Sequence, residues 1–343
     1  MRCVFNFFSR TFILVSLSLQ TSRAAVEFGP FLISAPAEQI TTRGQNRQAH
    51  FISDQEILFV SRDRKRNQDP QLYKKDLNTG FESQITYQRG SIQAGTLINS
   101  KYILFSSSSD EDNESPLALK KYLDRFPSTV DQGGFVHLDF NPQEIYLSTL
   151  DGSQITRLTQ WSGFDGFPAY KQQGNQIYFS RYDKKQMRIY TMQNQEDAKA
   201  WPVLKGDGHD LGVQVSPQSK GFVWSRFSSD FQTAQILATN KVFKQLKTLT
   251  PTFDLSWSPS FHPNGQSVLF SARNNDMANL DLFEVTLDGN CHRQLSSYEG
   301  DEYFPTVSPD GTKIMFTSTQ SGSEQIFMLQ YPGPLKCGPQ ESI

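Results

Sequence analysis

Three cysteines in 343 residues, and no apolar run long enough to cross a bilayer, set the first limits on this chain. So few cysteines exclude a dense disulfide framework. There is no basic excess either: 33 Lys and Arg stand against 35 Asp and Glu. Signatures of several catalytic classes are missing: Gly-x-Ser-x-Gly, His-Glu-x-x-His, a phosphate loop and Cys-x-x-Cys do not occur. The five histidines are His50, His137, His209, His262 and His292. The reading is therefore of a non-catalytic protein without a cofactor.

Residues 1–24 carry what a secretory signal needs. Arg2 and Arg10 give a basic start, Phe12 to Leu19 an apolar core, and Ser22-Arg23-Ala24 small residues for cleavage before Ala25. Removal of Arg2, Arg10 and Arg23 takes the 33 basic residues to 30, against 35 acids, a net of −5. That balance argues against a nucleic-acid partner, and the mature chain has no transmembrane segment. A periplasmic or secreted location follows. There Cys291 and Cys337 are read as a disulfide tying an outer strand to the tail, the alternative being two separate thiols.

What is present is a repeated phrase. Phe304-Pro-Thr-Val-Ser-Pro-Asp-Gly-Thr-Lys-Ile-Met-Phe316 is echoed by Ser258-Pro-Ser-Phe-His-Pro-Asn-Gly-Gln-Ser-Val-Leu-Phe270. Weaker copies end at Phe59, Phe105, Phe179 and Trp224, so the spacings between end-markers are 46, 74, 45, 46 and 46 residues by subtraction. A fixed period of this size marks a repeat architecture. Each unit holds short, alternating, β-branched and aromatic runs separated by turns such as Ser308-Pro-Asp-Gly311, Asp151-Gly152 and Asp288-Gly289. Proline presets φ in such turns and glycine supplies a positive φ. Four antiparallel strands per unit describe a propeller blade. The expectation is all-β: one six-bladed β-propeller over residues 25–343. Its last blade lacks a fourth strand, which Glu38-Gln-Ile-Thr-Thr-Arg43 supplies, as it matches Ser83-Gln-Ile-Thr-Tyr87 and Ser153-Gln-Ile-Thr-Arg157. Closing the ring this way removes exposed strand edges.

The excess in the second unit falls at about residues 106–141. It holds an acidic tract, Asp110, Asp112 and Glu114, and a stripe of Leu119, Tyr122, Leu123 and Phe126 at helical spacing. It is read as a helix packed on its own blade, with the loop around it available as a lid or partner contact.

These motifs resemble the TolB-type propeller repeat family, whose unit runs Asp-x-x-Pro, Ser-Pro-Asp-Gly, an apolar strand and an Ile-Tyr strand ending in Asp-Gly. Asp165-x-x-Pro168 and Arg188-Ile-Tyr190 keep the pattern, while Lys171-Gln-Gln-Gly174 replaces its turn. The resemblance covers Pro36 to Pro332 and implies fold rather than function. TolB carries an α/β domain before its propeller, and some related propellers precede a serine-peptidase domain. Here only residues 25–37 separate the signal from the closing strand and about eleven follow the last repeat, so the expectation is a bare propeller.

In a propeller the first strand of each blade lines the channel. Counting back fourteen residues from each end-marker gives Gln45, Ser91, Asp165, Asp210, Ser256 and Glu302, with His209, Asp254 and Asp301 beside them. Carboxylates converging on a narrow channel would attract a cation or a basic partner, or raise their own pKa values. The competing reading is structural: each acid fastens adjoining blades through hydrogen bonds. The family also resembles propeller-type pectic lyases, which hold a metal on channel histidines; about three are needed, and only His50 and His209 can be placed. His262, at the turn motif's serine position, reads as exposed. The leading function is an exported, monomeric propeller that binds a protein or peptide of the cell envelope at one face or the channel mouth. The alternatives are a metal-dependent polysaccharide lyase or hydrolase with a divalent cation in the channel, and a receptor for a small cationic or sugar ligand.

Overall fold

The structure is a computed structural model that describes residues 27–28, 36–64, 69–109, 142–240, 243–274, 277 and 279–337. The expected signal at 1–24, and residues 110–141 of the expected insertion, with its acidic tract and apolar stripe, lie outside the described residues. Among the described residues every regular element is a β-strand, and no helix is long and apolar enough to cross a membrane.

The strands are β1 (Glu27–Phe28), β2 (Glu38–Gln39), β3 (Gln45–Phe51), β4 (Glu56–Arg62), β5 (Gln71–Asp76), β6 (Glu82–Gln84), β7 (Ile92–Ile98), β8 (Tyr102–Ser107), β9 (Glu144–Thr149), β10 (Ile155–Arg157), β11 (Asp165–Lys171), β12 (Gln176–Asp183) and β13 (Gln186–Gln193). They continue as β14 (Trp201–Pro202), β15 (His209–Val215), β16 (Gly221–Phe227), β17 (Ala234–Asn240), β18 (Leu246–Thr248), β19 (Leu255–Phe261), β20 (Ser267–Arg273), β21 (Asp281–Thr286), β22 (Cys291–Gln294), β23 (Glu302–Val307), β24 (Lys313–Ser318) and β25 (Gln325–Gln330). Four sheets have four strands each: β3-β4-β5-β6, β7-β8-β9-β10, β11-β12-β13-β14 and β23-β24-β25-β2. Hydrogen-bond connectivity yields five sheets rather than the six expected. The fifth has nine strands, because the parallel pair Ala234↔Leu255 joins the meander β15 to β18 to the meander β19 to β22, on whose outer edge β1 also lies.

The six repeat end-markers explain themselves. Phe59, Phe105, Phe179, Trp224, Phe270 and Phe316 all sit on second strands and are all 0% exposed. They fill the space between neighbouring sheets, where truncation of a buried aromatic typically costs about 3–5 kcal/mol. Six of the seven apolar clusters join two neighbouring meanders, as where Leu58, Leu72 and Ile85 meet Ile92, Phe105 and Tyr146, and the seventh gathers residues of β11 to β23. The first and last sheets meet in the same way, with Phe59 and Tyr73 packed against Met315 and Ile326.

A second repeated device ends the fourth strands. Ile40-Thr41, Ile85-Thr86, Leu158-Thr159, Leu249-Thr250 and Leu295-Ser296 bury an aliphatic residue and turn a hydroxyl onto the third strand. That hydroxyl accepts from the amide of Leu72, Ile145, Ile236 or Leu282 within one sheet, and from Ile326 in the case of Thr41, each at 2.9 Å. The preceding residue returns its own amide to the same third-strand carbonyl at 2.7–2.8 Å. The pairs share two residues, an aliphatic and a Thr or Ser, and this corrects one detail of the sequence alignment. Glu38-Gln-Ile-Thr41 does correspond to Ser83-Gln-Ile-Thr86, but its counterpart in the next sheet is Thr156-Arg-Leu-Thr159, three residues beyond Ser153-Gln-Ile-Thr156. Glu38 and Gln39 pair antiparallel with Met328 and Phe327.

The chain's tail folds back on β22. Tyr331 donates to buried Glu284 at 2.8 Å, Arg293 donates to the Gly333 carbonyl at 2.8 Å, and Cys337 is bonded to Cys291 with Cα atoms 5.8 Å apart.

Thr41→Val should remove the acceptor of the Ile326 amide and lower unfolding free energy by about 1–3 kcal/mol, as should Thr250→Val at the equivalent site. Urea denaturation of the two variants checks this; a neutral Thr41→Val beside a costly Thr250→Val would show that β2 adds nothing to stability. Because the disulfide spans 46 residues, chain-entropy arguments bound its contribution at about 4 kcal/mol. Thermal melts with and without reductant should differ, and the difference should vanish in Cys337→Ser.

Candidate functional site

Each first strand carries a bulge at the same place. Pairing with the second strand slips between Arg47 and His50, Gln93 and Thr96, Gly166 and Ala169, Leu211 and Gln214, Trp257 and Ser260, and Tyr303 and Thr306. The first residue of the slip is left-handed at Gln48, Phe167, Gly212, Ser258 and Phe304, with φ of 50–66°. Only one of these is glycine, so the conformation is imposed on residues that disfavour it. In three of the strands proline follows, as Pro168, Pro259 and Pro305. Proline suits a position where the ladder has no use for an N–H. This gives the Asp-x-x-Pro pattern a mechanical meaning. Gly95 fills a bulge position for a different reason: a Cβ there would lie 1.6 Å from the Leu104 carbonyl and 2.9 Å from the Pro168 ring.

The bulges enclose one cavity of about 250 Å³ to which β3, β7, β11, β15, β19 and β23 all contribute. Its walls are the three prolines, Phe167, Phe304, Trp257, Phe227 and Leu211, with Gln48, His50, Gln214, Ser258, Ser260 and Thr306 as polar points. It extends toward the Ser216-Pro217 turn. Among the described residues, His50 and Gln214 make no side-chain hydrogen bond. Burial holds the His50 imidazole down at a pKa of about 4, so it is neutral at physiological pH. Ser258 lies 3.0 Å from Ser271 and accepts from the Phe304 amide at 3.2 Å, so no base activates it.

The residues expected at the channel mouth are elsewhere. None of Gln45, Ser91, Asp165, Asp210, Ser256, Glu302, His209, Asp254 or Asp301 lines the cavity. Eight of the nine, all but Asp254, begin or flank first strands two or three residues before the bulge, and there they are turned away from the cavity. Asp165 takes two donors from Arg181, at 2.7 and 2.6 Å, and Asp210 takes two from Arg226, at 2.7 and 2.9 Å, plus the Trp224 indole at 2.7 Å. Gln45 receives Arg62. Burial pushes the Asp165 carboxyl up, and the Arg181 guanidinium opposes the shift. Asp254 is exposed, and Asp301 accepts from the Leu280 amide at 2.9 Å.

Glu302 occupies the same register position as Asp165 and Asp210, but the residue opposite is Ser318 rather than arginine. It is fully buried; Ser296 donates to one oxygen at 2.5 Å, the Tyr298 backbone also hydrogen-bonds to the carboxylate, and among the described residues the other oxygen has no partner. Asp281, held by Gln294 at 2.7 Å, lies close enough to repel it. Burial pushes Glu302 up to about 9, with repulsion from Asp281 and Asp301 added, and pushes Asp281 up to about 7, with repulsion from Asp301 added.

The two weak metal candidates separate. His50 borders the cavity, six residues into β3 rather than at its start. His209 accepts from the Met187 amide at 3.2 Å, stacks on Phe231 at 4.0 Å and points away. Among the described residues no three His, Cys, Asp or Glu side chains are grouped to hold a metal. His262, expected exposed, is 6% exposed and packs on Tyr331 at 4.6 Å, because the folded-back tail covers it. The bulge residues were within reach of sequence reasoning. Counting back twelve residues from Phe179, Trp224, Phe270 and Phe316, instead of fourteen, lands on Phe167, Gly212, Ser258 and Phe304.

With this geometry in place, comparison with known proteins is decisive for the family: the TolB beta propeller domain model matches residues 135–309, just over half of the chain. The chain belongs to the TolB β-propeller family. This TolB-type propeller is 33% identical over 75 residues to a protein TolB homolog of Chlorobium luteolum, covering 22% of this chain and 16% of the homolog. Over 79 residues it is 33% identical to dipeptidyl-peptidase 5 of Porphyromonas gingivalis, covering 23% and 12%. It thus spans less than a fifth of the curated relatives it matches. Among solved structures it resembles TolB from Acinetobacter baumannii (TM-score 0.59, 16% identity, covering 82% of this chain and 65% of that one). It also resembles oligogalacturonate lyase from Vibrio parahaemolyticus (TM-score 0.54, 10% identity, covering 90% and 97%). At these identities the likeness is one of fold.

The raised carboxyls set a pH dependence of the TolB-type propeller's stability. Native Asp281 keeps a proton that the unfolded chain has released between about pH 4 and 7, and Glu302 one between about pH 4.5 and 9, so stability falls as pH rises through these windows, with Glu302 alone acting above pH 7. Between pH 7 and 9 the melting temperature should drop by at least about 3 °C in the parent protein and by less in Glu302→Gln. Calorimetry at both pH values tests this; an unchanged pH slope in Glu302→Gln would show that Glu302 ionises freely in the folded protein.

Proposed function

We propose that this chain is an exported, six-bladed, single-domain propeller that acts as a monomer and binds a protein or peptide partner of the cell envelope at the mouth of its central cavity, without catalysing a reaction. The six-blade reading is supported by six bulged first strands, six buried end-markers and the single residue pair, Ala234↔Leu255, that merges two meanders. Closure by the N-terminal strand is supported by the Thr41–Ile326 bond, which repeats across 285 residues what the other blades make across 14. A disulfide suits an oxidising compartment.

The observation that carries the functional reading is the cavity itself. An aromatic and proline wall, with His50 and Gln214 left uncommitted, offers apolar burial plus a few orienting hydrogen bonds, which is what recognition sites provide. Its volume of about 250 Å³ falls below the roughly 300–1,000 Å³ of small-molecule sites, so one inserted side chain or a chain end suits it better than an oligosaccharide. A metal-dependent lyase would need more ligands than His50 supplies.

Thr306→Trp should fill the cavity while leaving the packing of its walls in place. Affinity capture from an envelope extract should retain a specific protein on the parent chain and lose most of it on Thr306→Trp, with the fold checked by circular dichroism. Equal capture by both would exclude the cavity mouth as the binding site. A stoichiometric transition metal in protein purified without chelator would favour the lyase instead.

A further inference from the structure

A groove of about 600 Å³ lies beside the central cavity, between the β15–β18 and β19–β22 meanders. Phe261 lines both. Leu246 and Leu287, 44% and 38% exposed, give the groove an apolar lip. Two lysines, Lys220 and Lys247, also line it, and no aspartate or glutamate does. Neither lysine makes an ion pair among the described residues, although Lys247 lies near enough to Asp288 to favour its ionised form. The remaining polar lining is of amides and hydroxyls, including Gln266 and Thr239. The groove's charge is therefore of one sign.

Strands β16, β17 and β18 all line it, and β18 is an edge strand. All three residues of β18 are exposed, and among the described residues β18 pairs with β17 alone. A one-sided strand presents amides and carbonyls at strand spacing, which a second polypeptide can match. The molecule already does this once in the neighbouring meander: β1 lies parallel on the edge of β22, with Glu27 opposite Cys291 and Phe28 opposite His292.

We propose that this groove docks an extended acidic segment of a partner polypeptide, added as a strand on β18. Alternate side chains of the segment lie over Leu246 and Leu287, and its carboxylates face Lys220 and Lys247. The strand edge selects a peptide rather than a lipid or a glycan, since only a peptide backbone completes the ladder. This adds a second contact to the partner-binding reading above and does not require the central cavity to be filled.

The test uses the full chain and a fluorescent short peptide of alternating Glu and Val, with a Lys–Val counterpart and a version carrying a central proline. Anisotropy should show binding of the Glu–Val peptide only, weakening with salt. The double variant Lys220→Glu, Lys247→Glu should bind it on the order of tenfold more weakly, and Leu246→Asp should weaken it independently of salt. Near-UV circular dichroism confirms that each variant is folded, and Thr306→Trp should bind the peptide unchanged, so failure here is separable from failure at the cavity. Equal affinity for the lysine double variant, undiminished binding of the proline peptide, or preference for phosphatidylglycerol vesicles over the peptide would each overturn the proposal, as would no detectable peptide binding.

Discussion

Everything in this molecule depends on how the innermost strands are kinked. A strand with unbroken pairing would send alternate side chains to its two faces along its whole length. The slip at Gln48, Phe167, Gly212, Ser258 and Phe304 interrupts that alternation at one level in each blade where it is observed. The acids two residues before the slip are turned away from the cavity, and residues beside and after the slip face it. The left-handed backbone there costs about 1–3 kcal/mol per non-glycine residue, which the buried aromatic packing on both sides must offset. The same kink that spoils the ladder makes the cavity.

The seams then divide labour. Where a first strand begins with aspartate and the second strand offers arginine opposite, the two neutralise each other in the dry interior and leave nothing for a ligand. Asp165 with Arg181 and Asp210 with Arg226 are of this kind. Glu302, facing Ser318 and Asp281, lacks such a partner and retains its proton instead. Repeats that look alike in sequence thus reach electrical neutrality by two routes, one insensitive to pH and one sensitive to it. The paired aspartates are spent within their own sheets and Glu302 on Ser296 of the neighbouring one, so the cavity is lined with aromatic rings and prolines rather than carboxylates.

The termini reinforce this arrangement. Thr41 gives the last third strand the hydroxyl that every other complete meander but one supplies from its own fourth strand. The tail from Tyr331 to Cys337 crosses back to β22, covering His262 and satisfying buried Glu284 and Arg293. Chain segments far apart in sequence therefore hold neighbouring sheets together where a linear array of repeats would have two free ends.

By itself the sequence determined the repeat, the strand composition and the turns, because these rest on local periodicity and on proline and glycine chemistry that few other structures tolerate. It also pointed to the N-terminal segment that pairs with β25, since Gln-Ile-Thr is legible wherever an aliphatic residue and a hydroxyl must follow one another. Only the tertiary structure decided which side of each first strand faces the axis. That choice turns on a one-residue slip in register, and such a slip reverses every side chain beyond it while leaving the hydrophobic pattern almost unchanged. The expected ring of Asp165, Asp210 and Glu302 was displaced for this reason, and the cavity wall of Phe167, Trp257 and Phe304 could be seen only once the strands were paired.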